Sequence, residues 1–141
     1  MATNGGIFIH MVFFGEYLVS FTAPGRIVLP KKIRSLVKGE DFILSKGFDH
    51  CLAGYDRSDW EQKTRDLTDV SLLDRENLAT RRFVFSSAIL AEIDDQGRFV
   101  IPKQMLNYAS LDGKAVIVGV GDHFEIWQQE KWSSQLNEAG I

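Results

Sequence analysis

Shifted by 72 residues, the chain aligns with itself without a gap, and this internal repeat limits the possible folds more than any other feature. Leu18 meets Leu90, Gly25-Arg26 meets Gly97-Arg98, Val28 meets Val100 and Pro30-Lys31 meets Pro102-Lys103. Further on, Gly47 meets Gly119, Tyr55 meets Trp127 and Trp60 meets Trp132. Two copies are too few for a solenoid, which needs about three to close its core. They fit one domain built around a pseudo-twofold axis.

Local signals within each copy agree. Tyr17 to Phe21 and Arg26 to Leu29 are β-rich runs around a turn at Ala23-Pro24-Gly25. Glu92 to Asp94 and Arg98 to Ile101 flank Asp95-Gln96-Gly97 in the same way. Pro30 and Pro102 end strands and suit the first turn of a short helix. Phe42 to Leu44 and Ala115 to Val118 read as buried strands. Helices are expected at Ser58 to Glu61, at Gln129 to Glu138, and at Asp74 to Thr80 with Asp74 or Ser71 as cap. The fold class expected is mostly β with short helices, an α+β arrangement of two pseudo-twofold repeats.

Charge sharpens the functional choice. The net charge of −3 argues mildly against nucleic-acid binding, but it averages over an uneven chain. Arg26, Lys31, Lys32, Arg34 and Lys38 follow one another with no acid between them. Asp56 to Glu76 is instead rich in acids, so basic and acidic faces can coexist. The single cysteine, Cys51, excludes an intrachain disulfide and fits a reducing compartment. No stretch approaches the roughly 18 apolar residues of a membrane span, and Met1 to His10 does not read as a signal peptide. Met11 would serve equally well as a start.

Several segments, in order, resemble the MraZ family. Phe14-Gly15-Glu16-Tyr17 is similar to its opening strand, and Gly47 to Leu52 to its first-repeat Gly-x-Asp-x-Cys-Leu segment. Arg82 to Ala88 resembles its inter-repeat segment, Glu92 to Pro102 its second-repeat motif, and Ile126-Trp127 followed by Trp132 its C-terminal signature. The resemblance implies an AbrB-like, swapped-hairpin, double-split β-barrel. It divides the chain into an N-terminal extension (1–11), a first repeat (12–70), a connecting helix region (71–83) and a second repeat (84–141). It also implies a ring-like homo-oligomer larger than a dimer, an octamer or similar. Such a ring would be cytoplasmic and nucleoid-associated. It would bind repeated double-stranded DNA boxes upstream of the cell-division and cell-wall gene cluster.

The family motif is Asp-x-x-x-Arg in each repeat. Asp94 to Arg98 matches it, whereas Thr22 stands where the first copy needs its acid and Pro24 follows. Arg26 and Arg98 are therefore the leading DNA-binding candidates, since a guanidinium fork pairs with guanine edges or phosphate. Asp94, Gly25 and Gly97 would orient them. Lys31, Lys32, Arg34 and Lys103 would add phosphate contacts. Because Arg98 has its Asp94 partner and Arg26 does not, while the denser basic cluster follows Arg26, Arg98 is expected to act more in base reading and Arg26 more in phosphate attraction.

Other readings are blander. Asp49-His50-Cys51 and Asp122-His123 have no metal-ligand spacing and read as hairpin turns. Gly119-Val120-Gly121 reads as a turn, and Trp60, Trp127 and Trp132 as core or subunit packing. No catalytic pair, metal or cofactor is expected, so an enzyme is the weakest reading. The alternative is an antitoxin-like interaction module with the same hairpin fold, docking through Asp56 to Glu76.

Overall fold

The computed structural model describes residues 12–69 and 73–140. The extension at 1–11, the alternative start at Met11 and the capping role of Ser71 fall outside the described residues.

The first repeat contributes β1 (Glu16–Ala23), β2 (Arg26–Val28), α1 (Lys31–Arg34), β3 (Asp41–Lys46), β4 (Leu52–Tyr55) and α2 (Arg57–Thr68). After α3 (Arg75–Ser87) the second contributes β5 (Ile89–Glu92), β6 (Arg98–Val100), α4 (Lys103–Ala109), β7 (Lys114–Gly119), β8 (Phe124–Trp127) and α5 (Gln129–Glu138). The strands form one antiparallel sheet in the order β5-β3-β4-β8-β7-β1-β2-β6, which curls into a nearly closed barrel.

The pairing is swapped between repeats. β1 pairs with β7, and β5 pairs with β3, so each repeat lends its first strand to the other. The repeats then meet twice: β2 on β6 with Ile27 opposite Phe99, and β4 on β8 with Ala53 opposite Glu125. Both facing pairs join pseudo-equivalent positions, so the pseudo-twofold axis runs through them. This is the barrel that the family resemblance implies.

One consequence departs from the simple hairpin reading. In the first repeat β1 and β2 pair directly, with a bulge between Phe21 and Ala23. In the second, β5 and β6 do not form a ladder; their backbone hydrogen bonding is confined to the turn, where the Asp94 amide donates to the Arg98 carbonyl at 2.9 Å. The end of β5 is held by the first repeat instead, through the Ile93 amide on the Glu40 carbonyl at 2.7 Å.

Phe42, Phe99 and Phe124 fill the centre, with Phe42 5.1 Å from Phe99 and 5.3 Å from Phe124 between ring centroids. Ile33 and Met105, pseudo-equivalent residues, anchor α1 and α4 beneath the barrel wall. Phe13 is core as well, packed 5.5 Å from Phe124. The aromatic repeat positions pair with one another: half-buried Tyr55 meets Trp60 at 5.2 Å, and buried Trp127 meets half-buried Trp132 at 5.6 Å. α3 continues to Ser87, seven residues past the expected end, and Asp74 caps it by accepting from the Asn77 amide at 3.1 Å.

Asp56, the first acid of the acidic segment, is buried and structural. Its carboxylate accepts from the Lys38 amide and the Ser58 hydroxyl, each at 2.6 Å. Alanine there removes the shared acceptor of the Lys38 amide and the Ser58 hydroxyl and leaves a gap where the buried carboxylate stood, so Asp56→Ala is expected to lower stability by about 1.5 kcal/mol. Urea unfolding checks this, and a loss under about 0.5 kcal/mol would contradict it.

Candidate nucleic-acid interface

The β2–β6 ladder carries the two motif arginines. Side chains alternate across a strand, and Ile27 and Phe99 are buried. Arg26, Val28, Arg98 and Val100 therefore face outward together, with Arg26 opposite Val100 and Val28 opposite Arg98. Arg26, Arg98 and Val100 line one shallow hollow of about 280 Å³ with Asp94 and Glu92. Val100 is 54% exposed, an unusual place for a β-branched apolar side chain. Sequence reasoning passed over Val28 and Val100, although the Arg-x-Val pattern in both repeats marks them as sharing the arginines' face.

The two turns are built differently. Asp94 accepts from the amides of Gln96 and Arg98, each at 2.9 Å, and from Nε of Arg98 at 2.7 Å. The Arg98 amide, with the Arg98 guanidinium and the Gln96 amide, holds the Asp94 carboxyl below the usual carboxylate range despite an opposing desolvation effect. Arg98 is thus aimed by its own turn. Thr22 does something else: its hydroxyl donates to the Arg26 carbonyl at 3.3 Å. The pseudo-equivalent of Gln96 is Pro24, which has no N–H, so even an acid at position 22 would miss one of the three bonds. Arg26 is exposed, and no ion pair or side-chain hydrogen bond holds it among the described residues. Gly25 and Gly97 take φ of 74° and 82°, in the left-handed region that glycine tolerates.

Each turn is strapped to the other repeat. The Leu29 amide donates to the Gly97 carbonyl at 2.8 Å, and the Ile101 amide to the Gly25 carbonyl at 2.7 Å. Lys31 and Lys32, exposed just after Leu29-Pro30, are thereby tethered beside the Arg98 turn; exposed Lys103 is tethered beside the Arg26 turn. The denser basic cluster follows Arg26 in sequence but lies next to Arg98 in space. Arg34, foreseen as a phosphate contact, has its guanidinium on the Asp94 carbonyl at 3.3 Å.

The two histidine segments form turns. Cys51 is buried, its Sγ donating to the Phe48 carbonyl at 3.2 Å, and burial pushes its thiol well up, away from the reactive thiolate. Among the described residues, no group of three or more His, Cys, Asp or Glu could hold a metal ion, and no helix is long and apolar enough to cross a membrane.

His123 lies between Asp122 at 2.7 Å and Glu125 at 3.0 Å and stacks on Tyr55. Burial alone would lower its pKa, but its hydrogen bonds and charge pairing with Glu125 and Asp122 outweigh this, and the net shift is upward. A raised folded pKa gives stability that is fully present below the unfolded value of about 6.5 and lost as pH rises through the folded one. The stability gap between the natural chain and His123→Gln should therefore be widest near pH 6 and narrow on the alkaline side. Thermal melts across that range check this; a gap independent of pH would contradict it.

Swapped strands, two pseudo-equivalent turns and paired outward arginines define a two-repeat, barrel-forming class of chain. Sequence comparison places it within that class: residues 12–83 and 84–140 each match the family described as "MraZ protein, putative antitoxin-like". Among curated relatives, the transcriptional regulator MraZ of Ligilactobacillus salivarius is 38% identical over 91% of this chain and 89% of its own length. That of Acetivibrio thermocellus is 39% identical, covering 92% and 90%, and that of Lactiplantibacillus plantarum 40% identical, covering 86% and 85%. The chain belongs to the MraZ family.

Proposed function

We propose that the chain is a transcriptional regulator that binds double-stranded DNA sequence-specifically through the outward face of β2 and β6. One observation carries this reading: Arg26 and Arg98, from different repeats, share one outward hollow with Val100 between strands that lock them in register. Arginine forks pair with guanine edges, and an apolar side chain can pack on a thymine methyl. Lys31, Lys32 and Lys103 add phosphate attraction around the two turns. The curated relatives' name, transcriptional regulator, supports the same conclusion. By family resemblance, the sites are repeated boxes upstream of the division and cell-wall gene cluster, and the protein is cytoplasmic and nucleoid-associated. Footprinting on the DNA upstream of the chain's own gene tests this. Protection of repeated boxes is expected; no protection at low salt would overturn it.

The active species is a homo-oligomeric ring. One barrel offers little area, whereas a specific DNA interface buries about 1,000 Å² or more, so several protomers on repeated boxes gain affinity by effective concentration. The exposed apolar residues suit such a ring. Leu18 and Leu90 are exposed at pseudo-equivalent positions, as are Phe48 and Val120. Similar apolar surfaces at two pseudo-equivalent sites of one protomer permit head-to-tail contacts, which close into rings when the rotation between copies allows it. Leu18→Asp with Leu90→Asp is therefore expected to reduce the mass in light scattering to that of a monomer or dimer. An unchanged mass would contradict these contacts, and a natural chain that is monomeric at micromolar concentration would contradict the ring.

The antitoxin-like wording of the family description supports a protein-docking alternative. Glu61, Asp66 and Asp69, exposed on and just beyond α2, would carry it. Failure to bind DNA at low salt would favour that reading.

A further inference from the structure

We propose that Arg34 is a positioning residue for the second DNA-binding turn, fixing sequence selectivity from the opposite repeat instead of contacting phosphate. This rests on the DNA-binding reading above and assigns the residue a different part in it.

α1 is a single turn of helix whose Ile33 is sealed in the core, so the next residue leaves the helix at a fixed place. From there Arg34 crosses the repeat boundary. One terminal nitrogen, Nη2, donates to the Asp94 carbonyl at 3.3 Å. The other, Nη1, lies 3.2 Å, and Cδ 3.6 Å, from the point where a Cβ on Gly97 would stand. The guanidinium thus packs closely against the bare face of Gly97, where a Cβ would press on Nη1. Gly97 serves twice here: it takes the positive φ of the turn, and it lets the brace lie close without crowding.

The internal repeat supplies a control. Leu106 is the pseudo-equivalent of Arg34, and its Cδ1 lies 3.5 Å from the Cβ position of Gly25. Leucine fills the same place under the first turn but cannot donate a hydrogen bond. The second turn is therefore gripped from both sides, by the Asp94 carboxylate from within and by Arg34 from across the axis. The first turn has neither grip, because Thr22 replaces the acid and Leu106 replaces the arginine. Both differences act in the same direction. Arg98 is held in one geometry, as base reading requires, and Arg26 is left free, which suffices for phosphate attraction.

A phosphate contact and a positioning brace leave different signatures. Losing a phosphate contact weakens binding to every sequence and lowers the salt slope by about one unit. Losing a brace lowers the preference for the specific site and leaves the slope nearly unchanged. The experiment compares the natural full-length chain with Arg34→Ala and Arg34→Leu. Each is titrated at several salt concentrations with a duplex the natural chain has selected from a random library, and with an unselected duplex. Arg34→Leu copies the packing of Leu106 and guards against simple misfolding, which a thermal melt also monitors.

Both variants are expected to lose about fivefold or more in selectivity, with a salt-slope change well below one unit. Faster amide hydrogen exchange at Gln96 and Gly97 should accompany the loss without DNA present. A slope reduced by one unit with selectivity intact would overturn the proposal and make Arg34 a phosphate contact. Full selectivity in the folded Arg34→Leu variant would overturn it as well. Failure of the natural chain to bind any duplex would be a different result, defeating the DNA-binding reading itself.

Discussion

Arg98→Ala is expected to reduce the preference for a specific over a random duplex by about 1–3 kcal/mol, roughly five- to 150-fold. The size follows from how Arg98 is held. Its Nε sits 2.7 Å from the Asp94 carboxylate, and the same carboxylate binds the Arg98 amide at 2.9 Å. Side chain and backbone are thus fixed by one group, leaving the far end of the guanidinium to pair with a base edge. A rigid fork discriminates because a wrong base leaves its donors unpaired. Arg26→Ala should behave differently, weakening all sequences alike and lowering the salt slope by about one unit. Matched titrations of the two variants on specific and random duplexes check this. Identical behaviour would contradict the unequal construction of the turns.

The second large effect lies beneath that face. Phe42→Ala is expected to destabilise the fold by about 4 kcal/mol. Phe42 is fully buried, with its ring 5.1 Å from Phe99, nearly perpendicular to it, and 5.3 Å from Phe124. Truncation removes the apolar contact and leaves a cavity among rings on several strands, which cannot collapse without shifting the sheet. Phe99 lies opposite Ile27 between Arg26 and Arg98, so this core also supports the arginine ladder from below. Urea unfolding measures the loss. A cost below about 1 kcal/mol would mean that the rings are not packed as described.

Much of this architecture is legible in the sequence because it is local or repeated. The Pro30-Lys31 and Pro102-Lys103 junctions place α1 and α4, and Gln129 to Glu138 coincides with α5. The repeat equates Tyr55 with Trp127 and Trp60 with Trp132, and the structure turns that match into two equivalent ring pairs, Tyr55–Trp60 and Trp127–Trp132. What the residues do not reveal is mostly non-local. Nothing in Glu16 to Ser20 announces that these residues pair with Lys114 to Val118 in the other repeat; only the family resemblance implies the swap. The β2–β6 pairing across the pseudo-twofold axis then decides the rest. It straps Leu29 to Gly97, moving Lys31 and Lys32 from the neighbourhood of Arg26 to that of Arg98, and it carries Arg34 under the second turn. Asp56 was similarly opaque, because a carboxylate that binds a backbone amide 18 residues away looks, in sequence, like any other acid of a charged helix.

The central claim is that the outward arginines of the β2–β6 ladder bind duplex DNA. The most direct measurement is affinity against salt concentration for the natural chain and for the double variant Arg26→Ala with Arg98→Ala. The natural chain should lose affinity steeply as salt rises, because binding releases counterions from several neutralised phosphates. The double variant, still folded by thermal melt, should lose the preference for specific DNA and show a clearly shallower slope. Affinity independent of salt in the natural chain, or unchanged in the double variant, would contradict the claim.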